Sequence, residues 1–318
     1  MLGPMYEGLN ELIVRAWGLD HNLRALDQDE WRRVGIEEVF TFLDIGEQMY
    51  NVGTSYHRAF SACKRDLEHF ITLLLMVKSE GLHCEHLLDV LSTLQPNDSI
   101  ISFNWDTIAD FTLQLAKFPQ VATYCDLMVK RPLVNDFVGR GVLLKLHGSL
   151  NWMVCQNLDC SRHGQIRLAL RDGQLADLSV GSKCPECGQE ERPFIIPPTS
   201  RKLIRRGSTM HRLWMLAREQ LAFCSRIVFI GYSFPPTDSH SEWLFRQIHF
   251  LDEGLPEVIV VNPGIMKTRG PVAVRYSRLF KGRAIHKFAT LADFSRDGLE
   301  LLRSKPGARA EAPQPRLP

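Results

Sequence analysis

Four of the eight cysteines fall into two close pairs, Cys155 with Cys160 and Cys184 with Cys187, with 23 residues between the pairs. Two sulfurs a few residues apart on a tight turn point at one ion, and two such pairs complete a tetrahedral thiolate site. The Pro and Gly of "CPECG" suit such a turn. With four protein ligands no position stays open for water, so the spacing predicts a structural Zn2+ that holds a small ribbon folded. The other reading is four unrelated buried thiols, because cysteine often behaves as a small hydrophobe. Cys63, Cys84, Cys125 and Cys224, single in apolar helical surroundings, fit that description, and the paired four do not.

The remaining sequence limits where such a ribbon sits. At 318 residues and 45% hydrophobic, the chain has material for one large domain with an insert. It carries 38 basic and 36 acidic residues, which leaves no broad field to steer it toward nucleic acid or anionic lipid. The first residues lack the basic flank and unbroken apolar core of a signal peptide, and the longest apolar run, Ile71 to Val77, is far below the roughly 20 residues that cross a bilayer. The expectation is a cytoplasmic protein without a membrane segment.

Residues 1–95 repeat apolar residues at three- and four-residue spacing in "YEGLNELIVRAWGL", "GIEEVFTFLDIGEQMY", "YHRAFSACKRDLEHFITLLLMVKSEG" and "HCEHLLDVLSTL", a helical texture. After "QPNDS" it changes to short β-rich runs: "IISF", "VLLKL", "RIVFIG", "EVIVVN" and "AIHKF". Apolar runs of this length separated by helices read as parallel strands buried on both faces. The predicted fold is therefore α/β, a doubly wound, Rossmann-like parallel sheet with a helical N-terminal part. The expected division is 1–95 helical, 96–153 the first part of the sheet domain, 154–192 the zinc-ribbon insert without a sheet strand, 193–303 the second part, and 304–318 a disordered tail.

Ligand crevices in such folds lie past the carboxyl ends of strands. Asn104 and Asp106 follow "IISF", and His147, Gly148 and Ser149 follow "VLLKL". Singly, each has a simpler reading as a helix cap or a glycine-dependent turn. Together they put an amide, a carboxylate and an imidazole at neighbouring strand ends. An imidazole can take a proton from a hydroxyl while the other two orient a sugar and a base. Gly231, ending another strand, lets backbone amides approach a phosphate, although "GYSFPPTD" also reads as a plain turn with Asp238 as N-cap.

The order "SFNWD", "KLHGS", two cysteine pairs, "IVFIGYSF" and "VIVVNP", over Ser99 to Phe288, resembles the sirtuin superfamily and is most similar to divergent sirtuin-like domains of bacterial proteins, many of which act in antiphage defence. The resemblance implies NAD or an ADP-ribose-type nucleotide as ligand, with Ser102 at the same strand end. Asn104 resembles the asparagine at the nicotinamide ribose, Asp106 the aspartate at the carboxamide, and His147 the catalytic histidine at the ribose hydroxyls. Gly231 and Ser233 resemble the pair at the phosphates and adenosine ribose, and Asn262 the asparagine that meets that ribose.

Two departures accompany the resemblance. The family's opening Gly-Ala-Gly-x-Ser stretch has no counterpart; "GRG" at 139–141 precedes a strand and reads as a turn. On the family pattern the chain begins late, without its first strand and half of the cofactor cradle. In place of the Phe-Gly-Glu loop that pairs with substrate peptides stands "PFIIPPTSRKLIRR", whose Pro197 and Pro198 remove donors needed for strand addition. Its basic residues Arg201, Lys202, Arg205 and Arg206 read as a solvated face or as a contact for phosphate or a partner. The implied activity is hydrolysis of NAD to nicotinamide and ADP-ribose. NAD-dependent lysine deacylation and an inactive nucleotide-binding or scaffolding module are the alternatives. Control by a homo-oligomer or a partner protein is expected of an NAD-consuming enzyme.

Overall fold

The computed structural model describes residues 36–79, 84–95, 97–116, 143–168, 170–171, 174–175, 182–197, 204, 206, 208–236, 238–250, 255–281 and 283–306. In chain order these form α1 (Ile36–Met49), α2 (Ser55–Ser79), α3 (Glu85–Leu91), β1 (Ile100–Ser102), α4 (Ile108–Leu115), β2 (Leu143–Lys145), β3 (Gly148–Cys155), β4 (Ile166–Leu168), β5 (Leu170–Arg171), β6 (Gln174–Leu175) and β7 (Glu191–Ile195). There follow α5 (Thr209–Phe223), β8 (Arg226–Ile230), α6 (Ser239–Arg246), β9 (Glu257–Val261), α7 (Pro271–Leu279), β10 (Ile285–Phe288), α8 (Leu291–Asp297) and α9 (Leu299–Arg303). The described residues divide between two compact units: those within Met1–Gly81, Asn104–Thr107 and His147–Leu203, and those within Leu82–Phe103, Ile108–Leu146 and Ile204–Pro318.

In the first unit the apolar periodicity of α1 and α2 makes a helical pair. Val39, Phe40 and Leu43 meet Phe60, Leu67 and Ile71 in one core, and Trp105 packs against it. The second element is an antiparallel sheet in the order β4-β3-β7, with all eight residues of β3 buried. An eight-residue strand with no exposed position cannot show alternation, so its sequence, "GSLNWMVC", hides its type.

In the second unit β1 pairs with β2 in parallel, and β8, β9 and β10 form a parallel sheet in the order β10-β9-β8. Central β9 is covered on both faces: Val258, Ile259 and Val260 are fully buried. Ile259 and Val261 join Val90 of α3 and Phe294 of α8 in one core. Arg226 ties β8 to β9 through Glu257 at 2.8 Å. Thr290 and Asp293 form a reciprocal capping box that starts α8.

The molecule is thus a mixed α/β protein with parallel strands, a helical N-terminal part and a cysteine-bearing antiparallel element, as the sequence pattern implies. All five β-rich runs named from the sequence are strands, each within two residues of its expected ends. One expectation is corrected: 154–192 does supply strands, in β4, β5, β6 and the start of β7, although β4 and β7 pair with β3, β5 and β6 pair with each other, and none joins the parallel sheet. They are too short for a period of two to register. The helical stretch at 6–19, "GRG" at 139–141, Cys125, Pro198, Arg201, Lys202, Arg205 and the tail beyond 306 lie outside the described residues. Cys63, Cys84 and Cys224 are half-buried where full burial was expected: Cys84 and Cys224 cap helix ends, and Cys63 packs at the margin of the α1–α2 core.

Candidate functional site

Asn104, Asp106 and His147 all belong to the first unit. Asn104 is exposed, Asp106 half-buried and His147 buried. Between the first two, Trp105 is the anchor. Its carbonyl accepts the Leu150 amide at 2.9 Å, and its indole N–H donates to the Ile196 carbonyl at 3.3 Å. The Ile196 amide in turn donates to the His147 carbonyl at 2.8 Å. The two strand-end segments singled out from sequence are therefore joined through one residue of a third segment. Gly148 has φ +81°, and an added Cβ would stand 2.2 Å from the Phe194 carbonyl oxygen, so only glycine lets the chain turn after His147. Trp105 and Ile196 were not legible as site residues; an aromatic between two polar strand-end residues was the available signal.

Ser102, Gly231, Ser233 and Asn262 belong to the second unit. Ser102 ends β1, and its carbonyl accepts the Leu146 amide at 2.9 Å. The other three gather around Tyr232. Gly231 has φ +72°, and among the described residues other than its chain neighbours no heavy atom lies within 4 Å of where a Cβ would stand, so the backbone conformation favours glycine and the space over it is open. The Asn262 amide donates to the Tyr232 carbonyl at 3.2 Å and its oxygen accepts the Gly264 N–H at 2.8 Å. The Tyr276 hydroxyl also donates to the Tyr232 carbonyl, at 2.8 Å. Phe234 holds a left-handed φ of 51°, and Arg275 donates to the Ser233 carbonyl at 3.4 Å.

This turn is held from both ends. The Tyr232 ring stacks on Phe103 at 4.7 Å, and its hydroxyl donates to Asp238 at 2.7 Å. Asp238 sits at the N-cap position of α6 as the plain-turn reading expects, but its carboxylate accepts from the hydroxyls of Tyr232 and Ser241. Burial, then the adjacent Asp238 charge, pushes the Tyr232 phenol well above its ordinary range, so it stays a donor at neutral pH. A non-glycine residue at positive φ persists only where its surroundings over-determine it, and such positions concentrate at ligand-binding turns.

The four paired cysteines come together in the first unit. Cys155 and Cys187 sulfurs are 3.6 Å apart, Cys160 and Cys184 sulfurs 3.8 Å apart, and all four lie within 4.8 Å of one another. Tetrahedral thiolates with metal–sulfur bonds of about 2.3 Å stand about 3.8 Å apart, so the cage has the size a zinc ribbon requires. Backbone turns shape it: the Gly188 amide donates to the Cys184 carbonyl at 2.9 Å, with φ +69° at Gly188. Burial pushes the Cys155 thiol up to about 12, while the Gln189 amide pulls Cys187 down to about 7. Holding all four sulfurs as thiolates at such separations would need a cation. A network unseen in the sequence braces the cage: Arg167 pairs with buried Glu191 and donates to Ser182 at 2.6 Å, and Ser182 donates to Glu191 at 2.7 Å.

No helix among the described residues is long and apolar enough to cross a membrane. No protein-family model matches the chain, nor does any curated protein sequence. Among solved structures the chain is similar to a Sir2 homologue with a serine-to-alanine substitution, in complex with ADP-ribose, and to one with a histidine-to-asparagine substitution in the same complex. Each has a TM-score of 0.45 and 13% identity, over 77% of this chain and 77% of that chain. A Sir2 homologue–NAD complex is similar at TM-score 0.44 and 13% identity, over 77% of this chain and 75% of that chain.

Proposed function

We propose that the chain is a sirtuin-like NAD-binding protein that hydrolyses NAD to nicotinamide and ADP-ribose, with a structural zinc ion in its cysteine cage. The observation that supports this most is the junction at Ile196, which joins the Trp105 segment to His147 and so keeps the flanking Asn104 and Asp106 with the imidazole. In this reading Asp106 holds the nicotinamide carboxamide and Asn104 the adjoining ribose. As the glycosidic bond breaks, positive charge develops on the ribosyl carbon, and water captures it. His147 engages the ribose hydroxyls and is the group to which a proton passes. Within the second unit, Ser102, Gly231, Ser233 and Asn262 are assigned to nucleotide contacts: Gly231 for the close approach of phosphate, Ser233 and Asn262 for the adenosine ribose.

Hydrolysis is favoured over lysine deacylation by the same junction. An acylated peptide that added as a strand beside 194–197 would need free backbone groups there, but Ile196 already uses its amide on His147 and its carbonyl on Trp105, and Pro197 has no N–H. The zinc ion has no open position and takes no part in the chemistry. We place such an activity in the cytoplasm and in antiphage defence, under control of self-assembly or a partner.

The test is incubation of the chain with NAD, with and without an acetyl-lysine peptide, followed by chromatography. Nicotinamide and ADP-ribose in equal amounts, independent of peptide and abolished by His147→Ala, are the expected products. Acyl-ADP-ribose would transfer the assignment to deacylation. NAD left intact by a folded protein that still binds it would leave only a binding module.

A further inference from the structure

We infer that Arg275 is an anion-binding residue, taking a phosphate of the nucleotide at the Gly231–Ser233 turn. The inference rests on the nucleotide reading above and adds to it the side chain that supplies the positive charge.

Three observations converge on this residue. The turn has an open face, since among the described residues other than its chain neighbours no heavy atom lies within 4 Å of a Cβ placed on Gly231. The turn is fixed in place, since the Tyr232 hydroxyl donates to the buried Asp238 carboxylate at 2.7 Å and the Tyr232 carbonyl accepts from both the Asn262 amide and the Tyr276 hydroxyl. Arg275, half-buried on α7, brings a guanidinium to the Ser233 carbonyl, and the contact is long, at 3.4 Å.

Among the described residues the guanidinium makes no other hydrogen bond or ion pair. No carboxylate among the described residues lies within ion-pair distance of it. Glu242, which lines the same small cleft as Phe234, Arg275 and Arg278, is taken by Arg246 at 2.5 Å and by Arg278 at 2.9 Å. A guanidinium offers five N–H donors in a planar fork that matches two phosphate oxygens, and one weak bond to a carbonyl uses one of them. A residue whose task was only to brace the turn would sit closer to its acceptor or pair with a carboxylate.

The experiment titrates inorganic pyrophosphate, adenosine and ADP-ribose into the 318-residue chain and into Arg275→Ala, Arg275→Gln and Arg275→Lys, each checked for an unchanged melting temperature. Arg275→Ala and Arg275→Gln should lose about 10- to 100-fold in affinity for ADP-ribose and pyrophosphate, while adenosine changes by less than about threefold. Arg275→Lys should fall between, because it keeps the charge but not the fork. Equal loss for adenosine and ADP-ribose would reduce Arg275 to a packing residue, and no loss for either phosphate ligand would also overturn the inference. Pyrophosphate binding that depends on Arg275, without adenosine or ADP-ribose binding, would keep the inference and remove the NAD reading. Binding of none of the three by the wild type would remove both.

Discussion

The Nζ of Lys145 lies 3.0 Å from Oδ2 of Asp110, with both side chains fully buried. This ion pair joins β2 to the first turn of α4. Removing one partner abolishes an ion pair in a low-dielectric interior, which costs about 3–5 kcal/mol, whereas replacing both with apolar residues removes the desolvation penalty as well. Lys145→Ala and Asp110→Ala should each lower stability by that amount in urea titrations, and Lys145→Met with Asp110→Leu should recover most of it. A double variant no better than either single one would contradict this.

The cysteine cage predicts about one zinc per chain by elemental analysis, falling toward zero in Cys155→Ser or Cys184→Ser. A strong chelator should unravel the antiparallel sheet first, because β3 and β7 supply or adjoin the ligands while the parallel strands do not. Hydrogen exchange by segment checks this. Equal deprotection of β9 would argue against a local role for the metal.

The two glycines that follow strands should respond differently to substitution. Gly231 has φ +72° but open space around a Cβ, so Gly231→Ala should cost only the left-handed penalty of about 1–2 kcal/mol, and Gly231→Asn less. Gly148, at φ +81°, adds a collision at 2.2 Å with the Phe194 carbonyl oxygen, so Gly148→Ala should cost clearly more than Gly231→Ala. Denaturant midpoints of the three variants measure the difference.

Glu68 on α2 predicts a pH dependence. Burial above all, with Asp44 and Glu47 adding to it and Lys64 opposing, raises its carboxyl to about 7. Because the folded pKa lies above the unfolded one, the folded chain holds the extra proton between about 4.5 and 7. Its contribution to stability is full below that window and is lost as the pH rises through 7. Wild type should therefore gain on the order of 1–2 kcal/mol relative to Glu68→Gln on going from pH 8 to pH 5.5. Parallel urea midpoints for the two proteins at both pH values would refute it.

What could be read from sequence followed from how local its causes are. "EVIVV" announces β9 because a strand covered on both faces needs an unbroken apolar run. The cysteine cage was legible because its ligands come as close pairs, and chelation imposes spacing on the chain itself. Lys145 was not, because a lysine inside an apolar run looks the same whether it reaches solvent or a carboxylate 35 residues away. Ile196 carries no chemical signature at all; its importance lies in two backbone groups that meet Trp105 and His147. Asn262 was legible as polar after a strand, yet the amide also bridges Tyr232 and Gly264 within the turn.

The most direct measurement is calorimetric titration of NAD into the wild-type chain and into Asn104→Ala, Asp106→Ala and His147→Ala, with zinc content and melting temperature matched among them. The account predicts saturable, one-site binding by wild type that weakens at least about tenfold in Asp106→Ala and in Asn104→Ala, each removing a hydrogen-bonding partner of the bound ligand. A wild type that shows no saturable heat, or three variants that bind NAD as tightly as the parent, would contradict it.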